Sequence, residues 1–177
     1  TPNLVRLINE EASNKHEYWR VFGNAYLSVE PVKNLILKTN FGLNYYNGSD
    51  KNFTPANLRD KTNYLYQYSA KSVDWVWTNT AQYNIDIDKN SIMALLGVEA
   101  KRNHFEDMSG EGKGLGIEDE NYLYLDNVTT NKGTKSGASN YSMFSFFGKV
   151  NYSWDNKYLA SFTIRRDASS RLSDKHN

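Results

Sequence analysis

Apolar and polar residues alternate along most of the chain with a period of two. In the clearest stretch, 73–87, Trp75 and Ile85 share one side of an extended chain with other apolar residues, while Asp74 and Asp86 share the opposite side. This alternation predicts half-buried β-strands, because successive side chains of a strand point to opposite faces. The runs are about ten residues long, which is more than the average strand of a globular protein. Six strands are predicted, at 19–29, 35–45, 73–87, 92–100, 142–154 and 158–165.

The connections between these strands alternate between short and long. The short ones, "EPVKN", "DKN" and "SWDNK", are rich in turn-forming residues. The long ones are the polar segments 46–72 and 103–140, whereas 1–18 reads as the end of a preceding loop and 173–177 as the start of the next. Short turns, long external loops and strands with one apolar face are typical of transmembrane β-barrels. The sequence therefore predicts that 19–172 is an all-β, antiparallel meander forming part of such a barrel.

A second fold is compatible with the same pattern. A soluble antiparallel sheet with one solvated face also alternates between apolar and polar residues. Aromatic residues near the strand ends, such as Trp19, Tyr45 and Trp154, fit the interfacial girdles of a membrane barrel. The alternative at this point is a soluble β-sandwich or small barrel that acts as a carbohydrate-binding or adhesion module.

Composition excludes several classes of protein. The 177 residues include 21 basic and 20 acidic side chains, so no excess of positive charge indicates a nucleic-acid partner. Cysteine is absent, which excludes disulfides and thiolate chemistry, and the 13 Tyr, 8 Phe and 4 Trp favour strands. No apolar run is long enough for a transmembrane helix. The chain begins without Met and without a signal peptide, and we expect a mature portion or an excised piece.

The sequence offers no catalytic or cofactor-binding constellation. His16, His104 and His176 lie in polar stretches, and none has metal-ligand spacing from another. The glycine-rich 110–116 lacks the flanking strand and helix that a phosphate loop needs. The acidic residues within 106–120 could hold calcium but lack EF-hand spacing. We therefore expect no enzymatic activity, no cofactor and no metal site.

Three stretches resemble one protein family. "NYSMFSFFGKVNYSWDNKYLASFTIRRDASSRL" is similar to the barrel signature of SusC-like TonB-dependent outer-membrane transporters of Bacteroidetes, in which a Tyr-rich strand, a short turn and an arginine- and serine-rich strand end follow one another. "SIMALLGVEAKRN" and "VFGNAYLSVEPVKNLILKTNFGLNYY" resemble two further strand motifs of that family. The resemblance covers about residues 17 to 172, with Ser91, Ala168 and Leu172 as departures. The residues that carry the first motif are Gly148, Asn151, Tyr152, Arg165, Arg166, Asp167, Ser169, Ser170 and Arg171.

The resemblance implies a 22-stranded barrel of the bacterial outer membrane with an N-terminal plug, of which this chain supplies about six strands. It implies import of glycans or other nutrients, either oligosaccharide or peptide, rather than an enzymatic reaction. The implied partners are a SusD-like surface lipoprotein, outer-membrane lipid, the glycan or peptide ligand, and the TonB complex, which contacts an N-terminal part outside this chain. No nucleic acid is implied.

Two groups of side chains receive specific expectations. Within the motif, Phe162 and Ile164 are expected to face lipid, and Arg165 to face the lumen or rim and pair with an acid such as Asp167. Aromatic residues in the predicted loops are candidates for ligand contact by stacking on sugar rings, although they would equally pack loop against loop. These are Tyr64, Tyr66, Tyr68, Tyr122 and Tyr124.

Overall fold

The computed structural model describes residues 14–56 and 60–172. Its six strands form one sheet in which each strand pairs with its neighbours in sequence. Tight turns join the first strand to the second, the third to the fourth and the fifth to the sixth, so these pairs run antiparallel. The predicted all-β, antiparallel meander is confirmed. The strands are β1 (Lys15–Val32), β2 (Leu35–Thr54), β3 (Tyr64–Ile87), β4 (Asn90–Lys113), β5 (Thr130–Trp154) and β6 (Tyr158–Ser169).

The strands are longer than the sequence pattern predicts. β2, β3, β4 and β5 extend into the ranges 46–72 and 103–140, where the sequence predicts loops. The irregular connection after β4 is limited to 114–129, which contains two short 3₁₀ turns. Polar residues with low strand propensity continue these strands because neighbouring strands pair with their backbone groups. β1 begins at Lys15, inside the predicted loop 1–18, while 1–13 and 173–177 lie outside the described residues.

The three predicted short joints are tight turns. Asn34, Asp88, Asp155 and Asn156 have positive φ values between 51° and 69°. Asn and Asp tolerate this left-handed conformation better than other residues with a side chain. The β3–β4 and β5–β6 turns also meet, because the Asp155 N–H donates to the Lys89 carbonyl at 2.7 Å. Turn chemistry in the sequence therefore locates the three tight turns, where β1 meets β2, β3 meets β4 and β5 meets β6.

The described residues divide into two compact units, which we treat separately. We call residues 21–44, 73–104 and 140–172 the wall unit. We call residues 14–20, 45–56, 60–72 and 105–139 the capped unit, because the segment 114–129 packs on its strands.

The wall unit has one apolar face that is open to its surroundings. Leu27, Leu96, Phe162 and Ile164 belong to the apolar rows of their strands and are 63%, 70%, 65% and 62% exposed. A contiguous apolar surface of this kind is unfavourable in water, whereas a lipid-facing barrel wall requires it. The exposure favours the membrane interpretation of the alternation over the soluble sandwich.

The pairing of β5 with β6 keeps the two kinds of side chain apart. Val150 lies opposite Phe162, and Gly148 lies opposite Ile164, on the apolar face. One residue along the strand, Phe147 lies opposite Arg165, and further polar pairs follow on that face. A slip of one residue would move every side chain to the other face, so this register is fixed by the alternation.

The capped unit has a small hydrophobic core of its own. Leu123 and Val128 from the segment 114–129 pack with Leu65 of β3, and all three are almost completely buried. β4 makes room for this segment with glycines, since a side chain at Gly110 or Gly112 would overlap Leu125 or Val128.

A buried amide fixes the start of the segment. The Asn63 side chain accepts a hydrogen bond from the Leu115 N–H at 2.7 Å and donates to the Leu115 carbonyl at 2.9 Å. It also donates to Glu118 at 2.8 Å. The ion pair between Lys15 of β1 and Glu120 of the segment raises the pKa of Lys15 and lowers the pKa of Glu120.

Candidate functional site

Three of the predicted tyrosines share one face of β3 in the capped unit. Leu65 points into the small core, so Tyr64, Tyr66 and Tyr68 point to the opposite face by strand alternation. All three are half-buried. Tyr46 of β2 lies close to them, because its phenol is one of the groups that raise the pKa of Tyr68.

Carboxylates lie among these tyrosines. The Tyr64 hydroxyl donates a hydrogen bond to Glu111 of β4, and this bond together with burial raises the pKa of Tyr64 to about 12. The pKa of Tyr68 is also raised, first by burial and then by the negative charge of Asp107, with smaller effects from its neighbours, including Asp50. Asp50 in turn contacts His16 Nδ1 at 3.0 Å. We call the set Tyr46, Asp50, Tyr64, Tyr66, Tyr68, Asp107 and Glu111 the tyrosine–carboxylate face.

Glycines of β5 leave room beside two of these acids. A side chain at Gly133 would lie 3.1 Å from a Glu111 carboxylate oxygen, and one at Gly137 would lie 3.2 Å from an Asp107 carboxylate oxygen. The backbone of β5 therefore approaches both carboxylates closely. A side chain at either position would require the neighbouring carboxylate to shift by a few tenths of an ångström.

The chemistry of this face suits a ligand with hydroxyl or cationic groups. Tyrosine rings offer flat apolar surfaces that stack on sugar rings and attract cations, and carboxylates accept hydrogen bonds from hydroxyl and ammonium groups. Within the described ranges, no group of three or more His, Asp or Glu side chains is arranged to hold a metal ion. The face offers non-covalent contacts and no evident catalytic pair.

The structure separates the other two predicted tyrosines from this face. Tyr122 and Tyr124 flank the core residue Leu123 and are 52% and 58% exposed. The Tyr124 ring lies 5.1 Å from the Lys51 ammonium group. The sequence did not single out Tyr46 or Asp50, and it considered Asp107 and Glu111 only as possible calcium ligands, because only strand pairing brings these residues beside β3. Alternation within 46–54 was the signal that could have located Tyr46 and Asp50.

Arg165 and Asp167 of the motif belong to a polar cluster on the opposite face of the wall unit from the apolar rows. Arg165 Nε donates to Asp167 at 2.7 Å, and its Nη2 donates to Glu99 at 2.9 Å and to the hydroxyl of the fully buried Ser145 at 3.0 Å. The predicted pairing of Arg165 with Asp167 is confirmed. The guanidinium also lies 5.7 Å from the centre of the Phe147 ring. One arginine thus joins β4, β5 and β6.

Other motif residues support the β5–β6 pair locally. Ser161 donates to Asn151 at 2.8 Å, and the Tyr152 hydroxyl donates to Asn90 at 2.7 Å, next to the β3–β4 turn. At the far end of β6, the Ser170 hydroxyl accepts a hydrogen bond from the Ser142 N–H at 3.1 Å. Near them, the Ser169 hydroxyl accepts from the Arg171 N–H at 3.3 Å, and the Arg171 guanidinium lies 4.8 Å from the Tyr141 ring.

A concave surface of about 790 Å³ lies on the polar side of the wall unit. Asn24, Asp74, Glu99 and Lys101 contribute polar groups to it. Asp74 accepts hydrogen bonds from Asn103 at 2.6 Å and from Asn44 at 3.3 Å. Hydrogen-bonded polar side chains on one face and exposed apolar side chains on the other are what a barrel wall with a wet lumen requires. No helix in the part of the chain that the structure describes is long and apolar enough to cross a membrane.

Comparison with known proteins gives a consistent result. The chain is 29% identical over 92% of its length to a TonB-dependent receptor of Formosa agariphila, and 30% identical over 75% of its length to the TonB-dependent receptor SusC of Bacteroides thetaiotaomicron. Two solved structures of RagAB each superpose on 91% of this chain with a TM-score of 0.81. One is described as a peptide transporter and is 24% identical, and the other is described as a peptide importer in an open-open state and is 25% identical. No family model matches.

The chain spans only a small part of these relatives. It covers 17% of the Formosa receptor, 11% of SusC, and 19% and 18% of the two RagAB chains. All of these proteins are receptors or transporters and not enzymes. The superposition on the RagAB structures and the sequence matches identify the chain as a segment of a SusC-like TonB-dependent transporter, a family of bacterial outer-membrane β-barrel proteins.

Proposed function

We propose that this chain is a portion of the wall of a transporter that imports an oligomeric nutrient, oligosaccharide or peptide, across the outer membrane. The apolar face of the wall unit, open to its surroundings, carries this proposal, because it is a surface suited to lipid and not to water. The likeness to SusC and to a peptide importer supports import as the activity. By analogy with that family, the partners are a SusD-like surface lipoprotein and the TonB complex.

Within this function, the tyrosine–carboxylate face contacts the nutrient. Its rings and acids match the groups that oligosaccharides and peptides present, which are sugar faces, hydroxyls and ammonium groups. Tyr66 and Tyr68 are the best candidates for stacking, because the Tyr64 hydroxyl already donates to Glu111. Of the sequence candidates, Tyr122 and Tyr124 are assigned no role in binding, since they lie beside the capping segment's core and not on this face.

The test uses the full-length receptor in its own bacterium. A deletion strain is grown on a panel of oligosaccharides and peptides as sole nutrients, and the wild-type gene is restored in a control strain. We expect the deletion to abolish growth on one class of nutrient and the restored gene to return it. Unchanged growth on every nutrient would contradict the import function.

Complementation with variants then tests the face itself. Tyr66→Ala and Tyr68→Ala should each lower uptake by about two- to tenfold, the effect expected for losing one aromatic contact. Tyr122→Ala is the matched control, because it removes an exposed tyrosine of the same unit outside the face. Uptake that falls equally in the control, or in none of the variants, would argue against ligand contact by this face while leaving the import function in place.

A further inference from the structure

Two adjacent arginines of β6 face in opposite directions. Arg165 pairs across the sheet with Phe147 on the polar face, whereas Arg166 pairs with Phe146 in the apolar row. Arg165 has two carboxylates and a hydroxyl as partners. Arg166 is exposed, and in the ranges 14–56 and 60–172 no carboxylate lies within ion-pair distance of it. Among the described residues, this positive charge therefore stands on the apolar face without an acidic partner.

The position of Arg166 along the strand indicates its depth in the membrane. It follows Tyr158, which begins β6 after the tight turn, by eight residues on the same face. Eight residues of strand extend about 26 Å, which is about 20 Å along the membrane normal at a strand tilt of about 40°. The apolar band of an outer-membrane barrel is about 25 Å tall, so Arg166 lies near the boundary remote from the turn. Lipid headgroups begin at that boundary.

A shallow apolar groove adjoins this charge. The concave surface on the apolar face has a volume of about 800 Å³, and Leu27, Leu96, Phe146 and Ile164 line it together with Arg166. Gly148 contributes no side chain to its floor. Acyl chains fit such a surface, and a guanidinium at its rim fits a phosphate, which it binds with two parallel hydrogen bonds.

We propose that Arg166 and this groove bind a phosphate-bearing lipid of the outer membrane, with the phosphate on the guanidinium and the acyl chains against the apolar rows. Charge complementarity selects the occupant, since a phosphate offers the guanidinium two charged hydrogen bonds that a neutral lipid does not. Arg165 has no part in this site, because its partners hold it on the other face. The site is independent of the nutrient that the transporter carries.

Native mass spectrometry of the full-length transporter in mild detergent tests the site. Phosphatidylglycerol is titrated as the phosphate-bearing probe, and diacylglycerol with the same acyl chains is the phosphate-free counterpart. We expect tighter binding of phosphatidylglycerol, and Arg166→Gln should weaken it by at least about fivefold, as for the loss of a charged hydrogen-bond partner. Lys149→Gln is the matched control, because it removes one positive charge from the polar face of the same sheet.

Three binding results, and the competition result given after them, would each overturn the proposal. They are equal binding of the two probes by the wild type, no effect of Arg166→Gln, and an equal loss of binding in Lys149→Gln. Inorganic phosphate at millimolar concentration should compete weakly, since it lacks the acyl chains, and full competition would show an anion site without a lipid site. If Arg166→Gln fails to assemble, the comparison of the two probes on wild-type protein still decides the question, and Arg166→Lys should retain part of the preference.

Discussion

Replacing Gly97 by alanine should destabilise the wall unit through a collision with Phe147. An added Cβ would lie 2.8 Å from Cε1 of the Phe147 ring and closer still to Cε2 and Cζ, whereas ordinary contact begins at 3.4 Å. The ring must therefore move by about 1 Å, and forcing an extra methyl group into a packed site of this kind typically lowers stability by about 1–3 kcal/mol. The gain of about 0.5–1 kcal/mol from removing a strand glycine offsets part of this cost. Movement of the ring also disturbs Arg165 above it.

The net loss relative to wild type is therefore at most about 2.5 kcal/mol, but Gly23→Ala makes the same glycine gain without the collision. The two variants should therefore differ by the whole overpacking cost of about 1–3 kcal/mol, which is about a five- to 160-fold difference in the unfolding equilibrium constant. Urea unfolding of the full-length transporter in detergent, followed by heat-modifiable gel mobility, measures it. Gly23→Ala is the control, because nothing lies within 4 Å of its added Cβ. When Phe147 is already alanine, the ring is gone and adding Gly97→Ala should cause no overpacking. The double variant should therefore be at least as stable as Phe147→Ala alone. Equal stability of Gly97→Ala and Gly23→Ala would refute the reasoning. A double variant that is less stable than Phe147→Ala would also refute it.

Three further predictions concern the capped unit. Asn63→Ala leaves the buried N–H and carbonyl of Leu115 without these partners, which should lower the free energy of unfolding by about 1–3 kcal/mol per group. Limited proteolysis should then cleave within 114–129 more rapidly than in wild type. Leu123→Ala should loosen the same segment by about 2–5 kcal/mol, since the side chain is almost fully buried, and increased amide hydrogen exchange would report it. The pKa of Tyr64 is raised to about 12, so its hydrogen bond to Glu111 contributes fully to stability below pH 10 and is lost as the pH rises towards 12. In a tyrosinate absorbance titration, Tyr64→Phe should lack the tyrosine that ionises near pH 12.

The paired arginines illustrate how one local sequence serves two surfaces. Because strand neighbours point to opposite faces, Arg165 and Arg166 receive different environments without any change in residue type. Arg165 holds Glu99, Ser145 and Asp167 together on the polar side. Arg166 stands in the apolar row of the wall unit. The motif therefore combines a structural contact between strands with the proposed lipid contact.

The sequence by itself determined most of what depends on alternation and on turns. A strand period of two is a local property of the backbone, so the apolar rows containing Phe162 and Ile164 could be assigned without knowing their neighbours. The pairing of Arg165 with Asp167 is also local, since residues two apart on a strand share a face. The turn residues Asn34 and Asp88 located strand ends for the same reason.

Only the tertiary structure decided what depends on pairing between strands distant in sequence. Polar segments predicted as loops became strands, because the neighbouring strand supplied hydrogen-bond partners that the local sequence does not reveal. The same pairing placed Glu111 beside Tyr64 and buried Ser145 under Arg165. Register across a sheet is a non-local choice, and the candidate site consists of the side chains that this choice brings together.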